Sequence, residues 1–214
     1  MLRNVEESVE RLRRAPRRSP SDAARELMAA IFAPLARLLH RMNVTPNAIT
    51  VIGCLLSFLG GTLLALGLWP VAVGVIVFAS LMDGIDGLLA RLTQQNSRFG
   101  AFLDSVLDRW SDSAFFIGLL IWHSRMGMQM EQVLSIVALA SSLLVSYTRA
   151  RAEGIGAECR RGLFTRLERI LVLVAGVVFD QVTIALWITA ALSTFTALQR
   201  IYYTWQYVKA NPEH

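Results

Sequence analysis

Apolar residues run along this chain in six long stretches that are separated by short polar segments. Several stretches hold about 20 residues, which is enough for an α-helix to cross a hydrocarbon core of about 30 Å at about 1.5 Å per residue. The pattern predicts an all-α membrane protein with six transmembrane helices, at approximately 47–68, 70–91, 99–122, 131–152, 165–180 and 182–207. Gly67 and Pro70 predict a tight turn between the first two spans.

The chain before the first span divides into two parts. Residues 1–20 are polar and rich in arginine, and we expect them to be disordered or to lie on the membrane surface. Residues 21–42 carry leucine and isoleucine at helical spacing among arginines, which predicts an interfacial amphipathic helix. The predicted organisation is therefore a basic N-terminus, a juxtamembrane helix and a six-span domain over 43–208.

Composition and charge agree with a membrane protein. The chain has 214 residues, of which 54% are hydrophobic and 17% charged, and this is too apolar for an ordinary soluble domain. The net charge of +5 could indicate nucleic-acid binding, but the basic residues flank the apolar spans, so we expect no nucleic-acid partner. Most arginines lie before the first span or in alternate loops, which predicts cytoplasmic termini and a multi-pass protein of the inner (cytoplasmic) membrane.

Four aspartates interrupt the second and third apolar stretches: Asp83, Asp86, Asp104 and Asp108. Each carboxylate inside a membrane segment costs roughly 2.5–3.5 kcal/mol on insertion scales, so the group must face a wet cavity and be neutralised. Divalent cations neutralise such a group most simply, and ligands that are all oxygen favour Mg²⁺ or Mn²⁺ over zinc. The sequence therefore predicts a metal site at the cytoplasmic ends of these two spans.

The spacing of the four aspartates favours a site with two metal ions. Asp83 and Asp86 are three residues apart on one predicted helix, and Asp104 and Asp108 are four apart on the next, so each pair shares a helix face. A hairpin would bring the two faces together. Two ions in such a site can stabilise the attacking and leaving oxygens of a phosphoryl displacement. Arg91, one turn after Gly87, could neutralise a phosphate.

Two other interpretations of the aspartates remain open at this point. Aspartates at helix ends are often solvated surface charges, although four of them with intervening glycines and an arginine make this a poor explanation. A cation-coupled transporter could also use buried acids for ion coupling. The sequence shows no second, inverted copy of the motif, which counts against a transporter built from repeats.

The motif closely resembles the signature of the CDP-alcohol phosphotransferases, D-x-x-D-G-x-x-A-R-x8-G-x-x-x-D-x-x-x-D. All eight of its fixed residues are present, namely Asp83, Asp86, Gly87, Ala90, Arg91, Gly100, Asp104 and Asp108. The resemblance implies a six-span helical fold, usually a homodimer, embedded in membrane lipid. It also implies transfer of a substituted phosphoryl group from a CDP-linked lipid donor to an alcohol, with release of CMP and with Mg²⁺ or Mn²⁺ as cofactors.

The resemblance also assigns roles to individual residues. The four aspartates correspond to the metal ligands, and Asp108 also corresponds to the general base that takes the proton of the acceptor hydroxyl. The positions that it implies for binding of the CDP-lipid donor are Asn47, Ala48, Ile49, Thr50, Gly87, Ala90, Arg91, Ser97 and Gly100.

Within the family, the resemblance is greatest to the synthases that use inositol phosphate, in bacteria and in archaea. The segments that carry it begin at Asp108, Ser146 and Phe164. A phosphorylated acceptor needs several cationic hydrogen-bond donors, because its phosphate monoester carries up to two negative charges. The candidate residues are Arg109, Arg149 and Arg166, followed by Arg151 and Arg169. Glycerol 3-phosphate remains open as the alternative acceptor.

Overall fold

The structure is a computed structural model, which describes Pro34 and residues 44–92, 97–157 and 162–211. The side chains at positions 86, 88 and 90–92 are outside this description, although their backbone is helical. The predicted basic N-terminus over 1–20 and, apart from Pro34, the predicted amphipathic helix over 21–42 also lie outside the described residues.

The described part of the chain is all-helical, and each predicted apolar stretch corresponds to one helix. The six helices are α1 (Pro46–Ala65), α2 (Trp69–Leu92), α3 (Arg98–Arg125), α4 (Gln129–Gly154), α5 (Arg166–Val178) and α6 (Val182–Ala210). The predicted all-α class is therefore confirmed.

Local chemistry explains where α1 begins and ends. Thr45 caps its start, because the Thr45 hydroxyl oxygen accepts a hydrogen bond from the backbone N–H of Ala48 at 3.3 Å, and Pro46 occupies the first helical position. At the other end, Gly67 has a φ of 76° and the N–H of Leu68 donates to the carbonyl oxygen of Leu63 at 3.0 Å. This glycine-terminated turn is the one that the sequence predicts.

Three of the described helices are long and apolar enough to cross a membrane, namely Pro46–Ala65, Gln129–Gly154 and Val182–Ala210. In α2, the segment Trp69–Ile85 is a shorter apolar stretch. Helix α3 contains Asp104, Asp108 and Asp112, and α5 has only 13 residues, about 20 Å of helix. Apolar helices of this kind, together with many exposed large hydrophobic side chains, indicate a membrane protein.

The chain divides into two compact units. The first unit contains residues up to Gly53 and Ser80–Asp104, which include the end of α2 and the start of α3. The second unit contains Cys54–Ala79 and the chain from Ser105 onward. In this second unit, α6 packs against α4 and α5, and one apolar core joins buried residues of all six helices, including Leu64, Ile76, Phe115, Leu134, Leu173 and Leu186.

Two glycines of the second unit allow the backbones of α1 and α3 to approach closely. A Cβ atom added at Gly61 would lie 2.3 Å from the carbonyl oxygen of Ala114, and one added at Gly118 would lie 2.1 Å from the carbonyl oxygen of Gly61. Backbone atoms cannot move aside as flexible side chains can, so the helices would have to separate. Small residues serve this purpose in membrane helix packing.

The Gly118→Ala variant is accordingly expected to be less stable, by about 1–3 kcal/mol, because it forces extra volume into a close-packed contact. Thermal unfolding in detergent, followed by tryptophan fluorescence, measures the effect as a lower Tm. Gly74→Ala is the matched control, since no described atom lies within 4 Å of a Cβ built on Gly74 of α2. Equal melting temperatures for the two variants would contradict this account of the contact.

Candidate active site

The end of α2, in the first unit, presents an acidic side chain beside small residues. Asp83 is half-buried, and Gly84 and Gly87 are exposed. Among the described residues, no atom lies within 4 Å of a Cβ built on either glycine. The helix backbone is therefore accessible next to the acidic residue, which leaves room for a large anionic ligand. Asp86, Ala90 and Arg91 lie on the same helix, and their side chains are outside the description.

Carboxylates of α2 and α3 converge. Asp83 and Asp104 both belong to the first unit. A carboxylate oxygen of Asp83 lies within 4.8 Å of a carboxylate oxygen of Asp104. Asp108 follows Asp104 by one turn of α3 and belongs to the second unit. Each of the three aspartates is half-buried and offers only oxygen ligands. The chemistry of the Asp83 and Asp104 carboxylates fits a divalent cation such as Mg²⁺ or Mn²⁺.

The first unit also brings together three of the predicted donor-binding residues. The backbone N–H of Gly100 donates to the hydroxyl oxygen of Ser97 at 2.8 Å. A Cβ at Gly100 would lie 2.9 Å from that oxygen and also 2.9 Å from the side-chain oxygen of Asn47. Only glycine therefore fits at position 100 without displacing one of these polar groups. The close approach of Asn47 to Gly100 connects the start of α1 with the start of α3.

The remaining residues near the start of α1 that are predicted to bind the donor differ in exposure. Ile49 and Thr50 are buried, and the hydroxyl of Thr50 donates to the carbonyl oxygen of Pro46 at 3.1 Å. Ala48 is exposed.

In the second unit, two arginines project from the start of α5. Glu168 caps this helix, because its carboxylate accepts hydrogen bonds from the backbone N–H of Thr165, at 2.8 Å, and from the Thr165 hydroxyl. The cap fixes where the helix begins. Arg166 and Arg169 then occupy the first turn, and their spacing of three residues places them on one helix face.

The two arginines pair with two aspartates of α3 that are one turn apart. Arg166 contacts Asp108 through Nη1 at 2.6 Å and Asp112 through Nε at 3.2 Å. Arg169 contacts the other carboxylate oxygen of Asp112 through Nη2 at 2.6 Å. Positive and negative groups alternate in this network, and their four formal charges cancel. Arg166 therefore contacts a motif aspartate directly, and its role in binding the acceptor phosphate stays a prediction.

The other predicted acceptor residues lie in different surroundings. Arg169 is only 4% exposed, whereas Arg166 keeps 20% of its side chain accessible. Arg109 donates to the carbonyl oxygen of Ser105 in its own helix. Arg149 forms an exposed ion pair with Glu153 at 2.8 Å, and Arg151 is also exposed.

For Asp112 the sequence leaves two roles open, support of the site and helix packing, and it predicts no site role for Arg200. Asp112 continues the four-residue spacing of Asp104 and Asp108, but nothing in the sequence specifies that it binds two arginines. Arg200 is buried in α6, where its guanidinium donates to the carbonyl oxygen of Val145, and a Cβ at Gly162 would lie 2.8 Å from its Nη2. One feature of the sequence could have indicated Arg200, because it is a lone arginine within an apolar helix. A charged side chain at such a position costs free energy unless it has a specific role.

Apolar helices throughout the described part of the chain, with carboxylates that suit a divalent cation, are features of a metal-dependent membrane phosphotransferase. The family model described as CDP-alcohol phosphatidyltransferase matches residues 43–201, and the chain belongs to that family. It is accordingly a transferase of phospholipid biosynthesis, which acts on a CDP-linked donor and an alcohol. The resemblance noted in the sequence is thereby confirmed.

Two relatives show which members of the family the chain is similar to. It is 37% identical to the phosphatidylinositol phosphate synthase of Mycobacterium marinum, over 85% of this chain and 82% of that protein. It is 34% identical to the archaetidylinositol phosphate synthase of Pyrococcus horikoshii, over 79% of this chain and 89% of the other.

Solved structures of the Mycobacterium tuberculosis phosphatidylinositol phosphate synthase have the same fold. The structure with CDP-DAG bound matches with a TM-score of 0.78 and 33% identity, over 82% of this chain and 94% of that chain. The structure in complex with manganese and citrate matches with a TM-score of 0.76 and 32% identity, over 80% and 88% of the two chains.

Proposed function

We propose that this enzyme transfers a phosphatidyl group from CDP-diacylglycerol to a hydroxyl of inositol phosphate and releases CMP. The donor is supported by the CDP-DAG-bound relative, and the acceptor by the names of the bacterial and archaeal relatives. Each of these similarities extends over most of both proteins, so it is not confined to the motif.

The observation that carries this proposal is the contact between Arg166 and Asp108. Its Nη1–Oδ1 distance of 2.6 Å places a guanidinium beside the carboxylate that the motif assigns as general base. An acceptor that carries both a phosphate and a hydroxyl needs a cation for the first group and a base for the second, a short distance apart. An unphosphorylated alcohol would offer the guanidinium no charged partner.

In the proposed reaction, Asp108 accepts the proton of the acceptor hydroxyl. The hydroxyl oxygen then forms a bond to the phosphorus that bears diacylglycerol, and the bond from that phosphorus to the CMP oxygen breaks, so that CMP leaves with the electron pair. Two divalent cations held by Asp83, Asp86, Asp104 and Asp108 would neutralise the donor pyrophosphate and the charge that develops on the leaving group. Arg166 binds the acceptor phosphate and orients the hydroxyl toward Asp108.

The donor-binding role of the first unit is part of the same proposal. Asn47, Ser97 and Gly100 form a small polar group in which a backbone N–H and two side-chain oxygens lie close together. The accessible backbone at Gly87 admits a nucleotide or diphosphate, and Arg91 would supply positive charge from the next turn of α2. Ala48, Ile49, Thr50 and Ala90 complete the proposed donor site.

We also propose the membrane arrangement that the charge pattern predicts. All six helices would cross the inner membrane, with both termini and the active site facing the cytoplasm, where soluble phosphorylated acceptors are available. The aspartates of α2 and α3 would belong to the site, which gives a reason for charged side chains within these two helices. A homodimer is the expected assembly.

A panel of acceptors tests the proposed function directly. The purified protein is incubated in detergent with CDP-diacylglycerol, Mn²⁺ or Mg²⁺, and one of inositol phosphate, glycerol 3-phosphate, inositol or serine, and CMP is measured. We expect CMP with inositol phosphate and none after addition of EDTA. A preference for glycerol 3-phosphate would change the acceptor that we propose but not the type of reaction. Absence of CMP with every acceptor would contradict the proposal.

A further inference from the structure

Asp112 lies outside the family motif but connects its last aspartate to the start of α5. Its two carboxylate oxygens bind different arginines, Arg166 at 3.2 Å and Arg169 at 2.6 Å. The side chains of Asp112 and Arg169 are only 7% and 4% exposed. The pair is therefore held inside the second unit, whereas Arg166 extends from it toward Asp108.

Stability alone is a weak explanation for this buried pair. The free energy needed to remove two charges from water is about as large as the free energy gained from their attraction. Apolar side chains of similar volume therefore often stabilise a protein equally well. A buried ion pair can instead fix the orientation of a neighbouring group. Contacts through Nε and Nη1 restrain a guanidinium at two points, and a planar group restrained in this way has little freedom to rotate.

We propose that Asp112, anchored by Arg169, is a positioning residue that orients Arg166 for the acceptor phosphate. Asp112 does not touch the substrate in this proposal and acts only through Arg166. Arg169 accordingly anchors Asp112 and is not itself an acceptor ligand, consistent with its burial. The inference rests on the proposed function, because it assigns the same phosphorylated acceptor to Arg166.

A double-mutant cycle on acceptor affinity tests the proposal. Asp112→Asn keeps the size of the side chain but removes its charge, and we expect the KM for inositol phosphate to rise about tenfold while the KM for CDP-diacylglycerol stays constant. In the Arg166→Ala background, the same substitution should change the acceptor KM less than about twofold, because residues that act through one another are not additive.

The control and a second variant separate positioning from loss of structure. Glu131→Gln weakens another link between helices of the second unit, since the Glu131 carboxylate accepts from the Thr183 hydroxyl at 3.1 Å. This control is expected to lower the Tm and leave both KM values unchanged. If Asp112→Asn does not fold, Arg169→Lys serves as the second variant, because lysine retains the positive charge but not the planar fork of arginine. We expect this variant to raise the acceptor KM about threefold, and only when Arg166 is present.

The outcomes distinguish this inference from the function on which it rests. Equal increases in both KM values, or a full effect of Asp112→Asn in the Arg166→Ala background, would overturn the positioning role. A parent enzyme that turns over inositol phosphate, with an acceptor effect of Arg166→Ala and none of Asp112→Asn, would overturn it as well and leave the proposed function intact. Absence of CMP from the parent enzyme would instead remove both.

Discussion

Asp108→Asn is expected to abolish turnover. The amide has nearly the same shape as the carboxylate, but it cannot accept the proton of the acceptor hydroxyl. Loss of a general base lowers a rate by about 10²–10⁴-fold, and the variant also lacks a carboxylate of the proposed metal site, so the decrease should reach the upper part of this range. CMP release at saturating concentrations of both substrates measures it.

Donor binding should be largely unaffected in the Asp108→Asn variant, because the amide oxygen can still bind a cation and the other three aspartates and the proposed donor residues are unchanged. Equilibrium binding of radiolabelled CDP-diacylglycerol tests this expectation, and we expect the Kd to change only a few-fold. Asp180→Asn is the matched control: Asp180 is an exposed carboxylate in the turn between α5 and α6, with a φ of 54° that asparagine also tolerates. Turnover by Asp108→Asn within tenfold of the parent would remove the proposed base.

The helices could be predicted from the sequence because hydrophobicity in a membrane protein is continuous along each helix. Every predicted stretch corresponds to one helix, and the turn at Gly67 was visible in the glycine and proline around it. Helix ends were less predictable, because they depend on individual hydrogen bonds such as that between Thr45 and Ala48.

The positions of the motif aspartates could be predicted in part, because they are separated by fixed helical spacings. Local geometry alone places Asp104 and Asp108 on one face of α3. The partner of Asp108 could not be derived in this way, since Arg166 comes from a helix more than 50 residues later and its position depends on packing. The sequence offers Arg109, Arg149 and Arg166 as first candidates without distinguishing among them. Only tertiary structure shows that Arg166 reaches Asp108 while Arg149 pairs with Glu153 on the surface.

Arg166→Ala is expected to raise the KM for inositol phosphate by about 10–100-fold, because a hydrogen bond to a charged group contributes about 1.5–3 kcal/mol and every 1.4 kcal/mol is a factor of about ten. The KM for CDP-diacylglycerol should stay within about threefold of the parent value. Initial rates of CMP release, with each substrate varied in turn at a saturating concentration of the other, measure the two constants.

Two further substitutions show whether the effect depends on the specific geometry of Arg166. Arg166→Lys keeps the charge but cannot make two parallel contacts, so we expect an acceptor KM between those of the parent and the alanine variant. Arg125→Ala removes an arginine from the other end of α3, where its Nη1 donates to the carbonyl oxygen of Ala65 at 3.0 Å, and should leave both constants unchanged. If Arg166→Ala raised both constants equally, the guanidinium would be supporting the site as a whole, and a specific role in binding the acceptor phosphate would be excluded.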